Sequence, residues 1–115
     1  IYGNQWDEVC NWLSGAGYNI EDSTSWGNYI DNTEEGHGEK QTTGFKEAWK
    51  ANNIYDFAGN CWEWTQEANY TDCRVHRGGS YGDSGSMYLV SYHYSNSPNY
   101  DNMSDVSTRP ILYIM

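Results

Sequence analysis

Three cysteines, three histidines and sixteen acidic side chains are the groups in this sequence that could hold a metal or perform catalysis. Cys10, Cys61 and Cys73 stand far apart, with no Cys-x-x-Cys pair, and the odd number leaves one thiol over even if two join. That spacing argues against a zinc site and a disulfide framework, and each thiol is expected as a small buried hydrophobe. A Ser/His/Asp arrangement could be drawn around His76 or His93, but no motif specifies one. Glu21, Asp22, Asp31, Glu34, Glu35 and Glu39 fall in a glycine-punctuated stretch that offers hard oxygen ligands. A structural calcium there stays open beside the simpler reading of a solvated acidic loop. No other cofactor is expected, and no catalytic set emerges.

A different kind of chemistry stands out between Tyr81 and Ser107. These residues include seven Ser, five Tyr, three Asn, three Asp and one His, and no Lys, Arg, Glu, Gln or Trp. Tyr gives large, rigid contacts at low entropic cost, and Ser and Asn give adaptable hydrogen bonds, as in antibody binding loops. The segment is expected to form loops held by strands at both ends. Its candidate contact residues are Tyr81, Asp83, Ser84, Ser86, Tyr88, Tyr92, His93, Tyr94, Asn96, Asn99, Tyr100, Asp101 and Asn102. Tyr92 and Tyr94 could instead pack inward with Val90 if that stretch is extended.

The elements that must position this segment are short. Trp6, Val9, Cys10 and Leu13 recur at helical spacing, and Ser14-Gly15-Ala16-Gly17 supplies a stop with glycine for a left-handed cap. Residues 18–53 show little periodicity and read as a long acidic loop, with one helical turn around Phe45–Lys50. Cys61-Trp62-Glu63-Trp64-Thr65 alternates as a strand with both tryptophans on one face, which they are expected to bury. Arg74–Arg77 reads as a second strand, stopped by Gly78-Gly79, and Ile111–Met115 as a third. Glu63 among aromatics needs a partner, and Arg74, Arg77 or Arg109 could supply it.

Composition limits the partners. The net charge of −10 repels phosphate backbones and anionic lipid surfaces, so neither nucleic acid nor membrane insertion is expected. No apolar run approaches the ~20 residues of a membrane span. The length, 115 residues, suits one domain spanning 1–115, expected to be the C-terminal domain of a longer protein.

Three motifs in order carry a resemblance. Asn53-Ile54-Tyr55-Asp56-Phe57-Ala58-Gly59-Asn60-Cys61-Trp62-Glu63-Trp64-Thr65, then Arg74-Val75-His76-Arg77-Gly78-Gly79-Ser80-Tyr81, then Ser107-Thr108-Arg109-Pro110-Ile111-Leu112-Tyr113-Ile114 resemble the formylglycine-generating-enzyme (sulfatase-modifying factor) family. Tyr2-Gly3-Asn4-Gln5-Trp6-Asp7 is similar to the helix start of its phage and gut-bacterial relatives. The resemblance implies an α+β, C-type-lectin-like fold with a small antiparallel sheet, short helices and long irregular loops. It also bears on catalysis. The family's enzymes bind copper through a cysteine pair soon after the Arg-Gly-Gly-Ser segment, and Tyr81–Tyr88 here contains none. A non-enzyme is therefore expected, with an oxygen-dependent oxidoreductase as the alternative and a purely structural virion or surface domain as the third reading. Pro98, between Ser97 and Asn99, is a poor match to a calcium-dependent sugar site.

Some proteins of this fold are diversified by retroelements that mutate template adenines, turning an AAC codon into any codon ending in C. That set excludes Lys, Glu, Gln, Trp and Met. In Tyr81–Ser107 only Met87 and Met103 lie outside it, whereas these types fill 20 of residues 1–80: eight Glu, six Trp, three Lys and three Gln. The resemblance thus implies a variable protein, displayed on a phage tail or a cell surface and binding a protein or glycan of a bacterial surface.

Overall fold

The computed structural model describes residues 1–99 and 103–110. The N-terminal apolar spacing gives helix α1, Gly3–Gly15, which buries Trp6, Cys10 and Leu13 and leaves Asp7, Glu8 and Asn11 outside. It closes as the sequence suggests. Gly17 takes φ +97°, and the amides of Gly17 and Tyr18 reach back to the carbonyls of Ser14 and Leu13. Residues 18–49 are mostly irregular, with single 3-10 turns at Thr24–Trp26 and Glu47–Trp49.

Strands β1 (Lys50–Ala51) and β2 (Ile54–Tyr55) form a hairpin across Asn52-Asn53. Both turn residues have positive φ, the twist that a two-residue hairpin requires. The main sheet has four strands in the order β5-β4-β3-β6: β3 is Trp62–Trp64, β4 Arg74–Arg77, β5 His93–Asn96 and β6 Val106–Ser107. It is a mixed sheet rather than an antiparallel one, because β6 runs parallel to β3, pairing Trp62 with Val106. Tyr81–Ser107 is also not all loop: it contributes both edge strands. The expected strand Ile111–Met115 lies outside the described residues. Among the described residues the architecture is α+β, with one α-helix, small sheets and long connections.

The core sits between α1 and the residues around Phe57. Trp6 stacks on Phe57 with ring centroids 4.0 Å apart, and its indole N–H donates to the Val90 carbonyl at 2.9 Å. Tyr29, fully buried, donates its hydroxyl to the Gly78 carbonyl at 2.7 Å. Two glycines are dictated by this packing. A Cβ on Gly59 would stand 2.4 Å from the Asn28 carbonyl oxygen, and one on Gly79 would stand 2.4 Å from that of Tyr88. Both have positive φ, so a side chain is opposed by conformation as well as by space.

Alternation along the sheet assigns its two faces. Glu63, Val75 and Arg77 point to one side and are buried. There Arg109 meets Glu63 through two bonds, Nε to Oε2 at 2.8 Å and Nη2 to Oε1 at 2.7 Å. Of the three candidate partners for Glu63, Arg109 is the one that pairs. Arg77 instead clasps Glu67 at 2.9 and 3.1 Å, Asp7 of α1 at 3.0 Å and the Ser91 carbonyl at 2.9 Å. It thereby fixes the helix and the middle of the late segment to the same strand. Arg74 is exposed and hydrogen-bonds the Cys73 carbonyl.

Cysteine burial is only partly as expected. Cys10 is buried in the helix seam, but Cys61 and Cys73 are half-buried, and all three are free thiols. Burial pushes the Cys10 thiol up to about 11. Among the described residues no helix is long and apolar enough to cross a membrane.

Candidate functional site

The opposite face of the sheet carries Trp62, Trp64, His76, Tyr94 and Asn96. The two tryptophans do share a face, but it is not the main core. Trp62 is buried, and Trp64 only half-buried. Above them the rings form a continuous set. His76 lies edge-on to both tryptophans, at centroid distances of 4.8 Å from Trp62 and 5.1 Å from Trp64. Tyr94 tilts over His76 at 5.6 Å, and Tyr88 meets Trp62 edge-on at 5.9 Å. Tyr92 meets Tyr88 at 5.2 Å and lies against His93 at 6.4 Å. Edge-to-face geometry of this kind adds to the burial term and fixes ring orientation.

This face is open to solvent. Tyr92 is 38% exposed and Tyr94 48%. Val90, by contrast, is fully buried, so it does not share an inward face with Tyr92 and Tyr94. The reason is that the chain turns through Val90 and Ser91, with the Tyr92 amide bonded to the Leu89 carbonyl, before β5 begins. Tyr92 and Tyr94 are therefore surface aromatics on the outer side of the sheet.

A pocket of about 190 Å³ opens on this face, lined by Trp62, His76, Tyr88 and Tyr94 with Asp83 and Asp105. Asn96, Met103 and Val106 complete it. His76 is 2% exposed, and burial depresses its pKa to about 4 although Asp105 and Asp83 pull the other way. Its Nε2 meets the Asn96 amide at 3.3 Å, while its Nδ1 is buried without a partner. Among the described residues, the side-chain hydrogen-bond partner of His76 is Asn96.

The candidate contact residues separate into groups. Tyr88, Tyr92, Tyr94 and Asn96 belong to this face, whereas His93 pairs with Arg77 and is exposed on the opposite side of the sheet. Ser86 and Asn99 are exposed nearby in sequence. Asp83 and Ser84 act largely as ties. Asp83 accepts the N–H of Ser80 at 2.9 Å and its hydroxyl at 2.8 Å, and Ser84 donates to Asp31 at 2.8 Å. Asp31 also accepts the Gly85 amide, and the Ser23 hydroxyl accepts the Val90 amide. Tyr81 is half-buried, with its amide bonded to the Asn60 carbonyl. Tyr100, Asp101 and Asn102 lie outside the described residues.

Sequence reasoning did not select Trp62, His76, Met103, Asp105 or Val106 as site residues. The alternation of Trp62 and Trp64 was a usable signal that they share a side. What it could not give was which side faces the core. In the acidic loop, the described residues hold no cluster of three or more His, Cys, Asp or Glu able to grip a metal. Asn28 and Asn60 organise that loop instead, bonding the Glu39 carbonyl, the Gly38 amide and both backbone groups of Gln41.

No family model matches the chain, and no curated protein matches it, so the formylglycine-generating-enzyme resemblance rests on the motif residues alone. Among solved structures, Treponema denticola variable protein 1 is similar, with a TM-score of 0.62 and 21% identity, over 93% of this chain and 44% of that one. The chain therefore spans less than half of that protein's length. At this identity the likeness is one of fold, and it extends over nearly the whole of this domain.

Proposed function

We propose that the chain is a non-catalytic ligand-binding domain, in which a C-type-lectin-like scaffold presents the Tyr81–Ser107 segment as a retroelement-diversified surface. The carrying observation is that the segment's exposed aromatics, Tyr92 and Tyr94, sit on the outer sheet face while backbone ties from Ser23, Asp31 and Arg77 hold the segment beneath them. Anchoring and display thus fall on different atoms, so side chains can change without loosening the fold. The fold shared with a variable protein and the codon-set contrast support the same reading. Its setting would be a phage tail or a cell surface, and its ligand a protein or glycan on a bacterium. The missing cysteine pair after Ser80 favours binding over oxidase chemistry.

The test is a library randomising Ser86, Met87, Tyr92, His93, Tyr94 and Asn99, with Asp83 and Ser84 kept. Members are screened for cooperative melting and for binding to bacterial surface proteins and glycans. Most members should fold, because surface changes away from special features alter stability by about 0.5 kcal/mol. Ligand choice should differ among them. A library that mostly unfolds, or whose folded members all keep one ligand, would refute the proposal.

A further inference from the structure

The geometry points to a ligand class for the pocket on the outer face: we propose that it takes one cationic side chain, an alkylammonium or guanidinium, from a basic polypeptide. This deepens the binding-module reading and depends on it. The first argument is the walls. Trp62, Tyr88 and Tyr94 bring three electron-rich rings to one small opening, and a cation within ~6 Å of such a ring is attracted by its quadrupole.

The second argument is charge. Asp83 and Asp105 line the same pocket, and neither forms an ion pair among the described residues. Asp83 uses Oδ2 for Ser80, leaving Oδ1 open. Asp105 has its backbone carbonyl engaged by the Trp62 amide, and its carboxylate has no ion-pair or hydrogen-bond partner among the described residues. Lys40 approaches this region, but its ammonium is held by the Ser104 carbonyl at 2.7 Å. Among the described residues no Lys or Arg lines the pocket, and its one histidine, His76, is held neutral near pH 7 by burial. The overall charge of −10 adds long-range attraction for a positive ligand and repulsion for an anion.

The third argument is size. Size selects one group rather than a whole small molecule, since 190 Å³ is below the ~300–1,000 Å³ of drug-sized sites.

The experiment titrates the intact chain with short glycine-flanked peptides bearing a central lysine or arginine, against matched norleucine and acetyl-lysine peptides and a panel of neutral glycans. NMR shifts of the Trp62 indole and the His76 ring report occupancy. The basic peptides should bind and move both signals, and the neutral peptides should not. Asp105→Asn should weaken the basic peptides by about tenfold, and Asp105→Glu should retain most of the affinity, with melting temperature as the folding control. Equal binding of the acetyl-lysine peptide, or glycan binding untouched by Asp105→Asn, would overturn the cation assignment and leave the binding-module reading standing. Silence of both signals toward basic peptides, in a protein whose library still yields binders, overturns the assignment alone. Silence together with a library that yields none overturns both.

Discussion

The Glu63–Arg109 pair gives the sharpest stability experiment. Replacing Arg109 with Met removes both bonds to the Glu63 carboxylate and the Nη2 bonds to the carbonyls of Tyr55 and Asp56 at 2.9 and 3.0 Å. Glu63 is 5% exposed, so water cannot take the place of the guanidinium. Removing one partner of a buried pair costs roughly 3–5 kcal/mol. The Arg109 side chain is 26% exposed, which places the expected loss toward the lower end. Even so, it would remove a large share of a stability of about 5–15 kcal/mol. The pH dependence carries a second signature. Burial already raises the Glu63 carboxyl above its ordinary range, and Arg109 opposes that rise. In the variant the opposition is gone, so Glu63 is more readily protonated in the folded state than in the unfolded chain. Its contribution is then fully present below the unfolded pKa and lost as pH rises through the raised folded value. The gap between parent and Arg109→Met should be widest at pH 7–8 and narrow toward pH 4. Urea unfolding at several pH values measures it, and the double variant Glu63→Met/Arg109→Met should recover more than half the loss. A pH-independent gap below about 1 kcal/mol, or a double variant whose loss is the sum of the singles, would refute the reasoning.

Other expected outcomes follow from single contacts. Gly79→Ala should lose roughly 2–5 kcal/mol from overpacking against the Tyr88 carbonyl and the Tyr29 ring plus left-handed strain, visible as a lower denaturant midpoint. His76 is held neutral by burial, with its pKa lowered from 6.5 to about 4, so the unfolded chain binds the proton more readily. Its contribution, roughly 3 kcal/mol, is therefore complete above pH 6.5 and lost as pH falls toward 4, and His76→Phe should flatten that limb of the stability profile. Cys61 and Cys73 should react with a thiol reagent in the native protein at neutral pH. Cys10, buried and raised to about 11, should react only at the unfolding rate, as a timed thiol titration would show.

What the sequence determined by itself was local. The spacing of Trp6, Cys10 and Leu13 with Gly17 beyond them was enough for the helix and its stop, because both depend on residues within a few positions of each other. The same holds for the alternation in Trp62–Trp64 and for the strand stop at Gly78-Gly79. The unusual makeup of Tyr81–Ser107 was also legible, since composition needs no coordinates. Long-range pairing was not. That Arg109 rather than Arg74 or Arg77 meets Glu63, that β6 runs parallel to β3, and that Arg77 reaches Asp7 depend on how distant segments meet. The tertiary structure also decided which face of the sheet is inside. An alternating strand states that Trp62 and Trp64 lie together, and a period of two is blind to which side the helix covers. Once α1 and Arg109 occupy the Glu63 side, the tryptophans, His76 and Tyr94 are left on the outer one, and residues that look like core become the floor of a pocket.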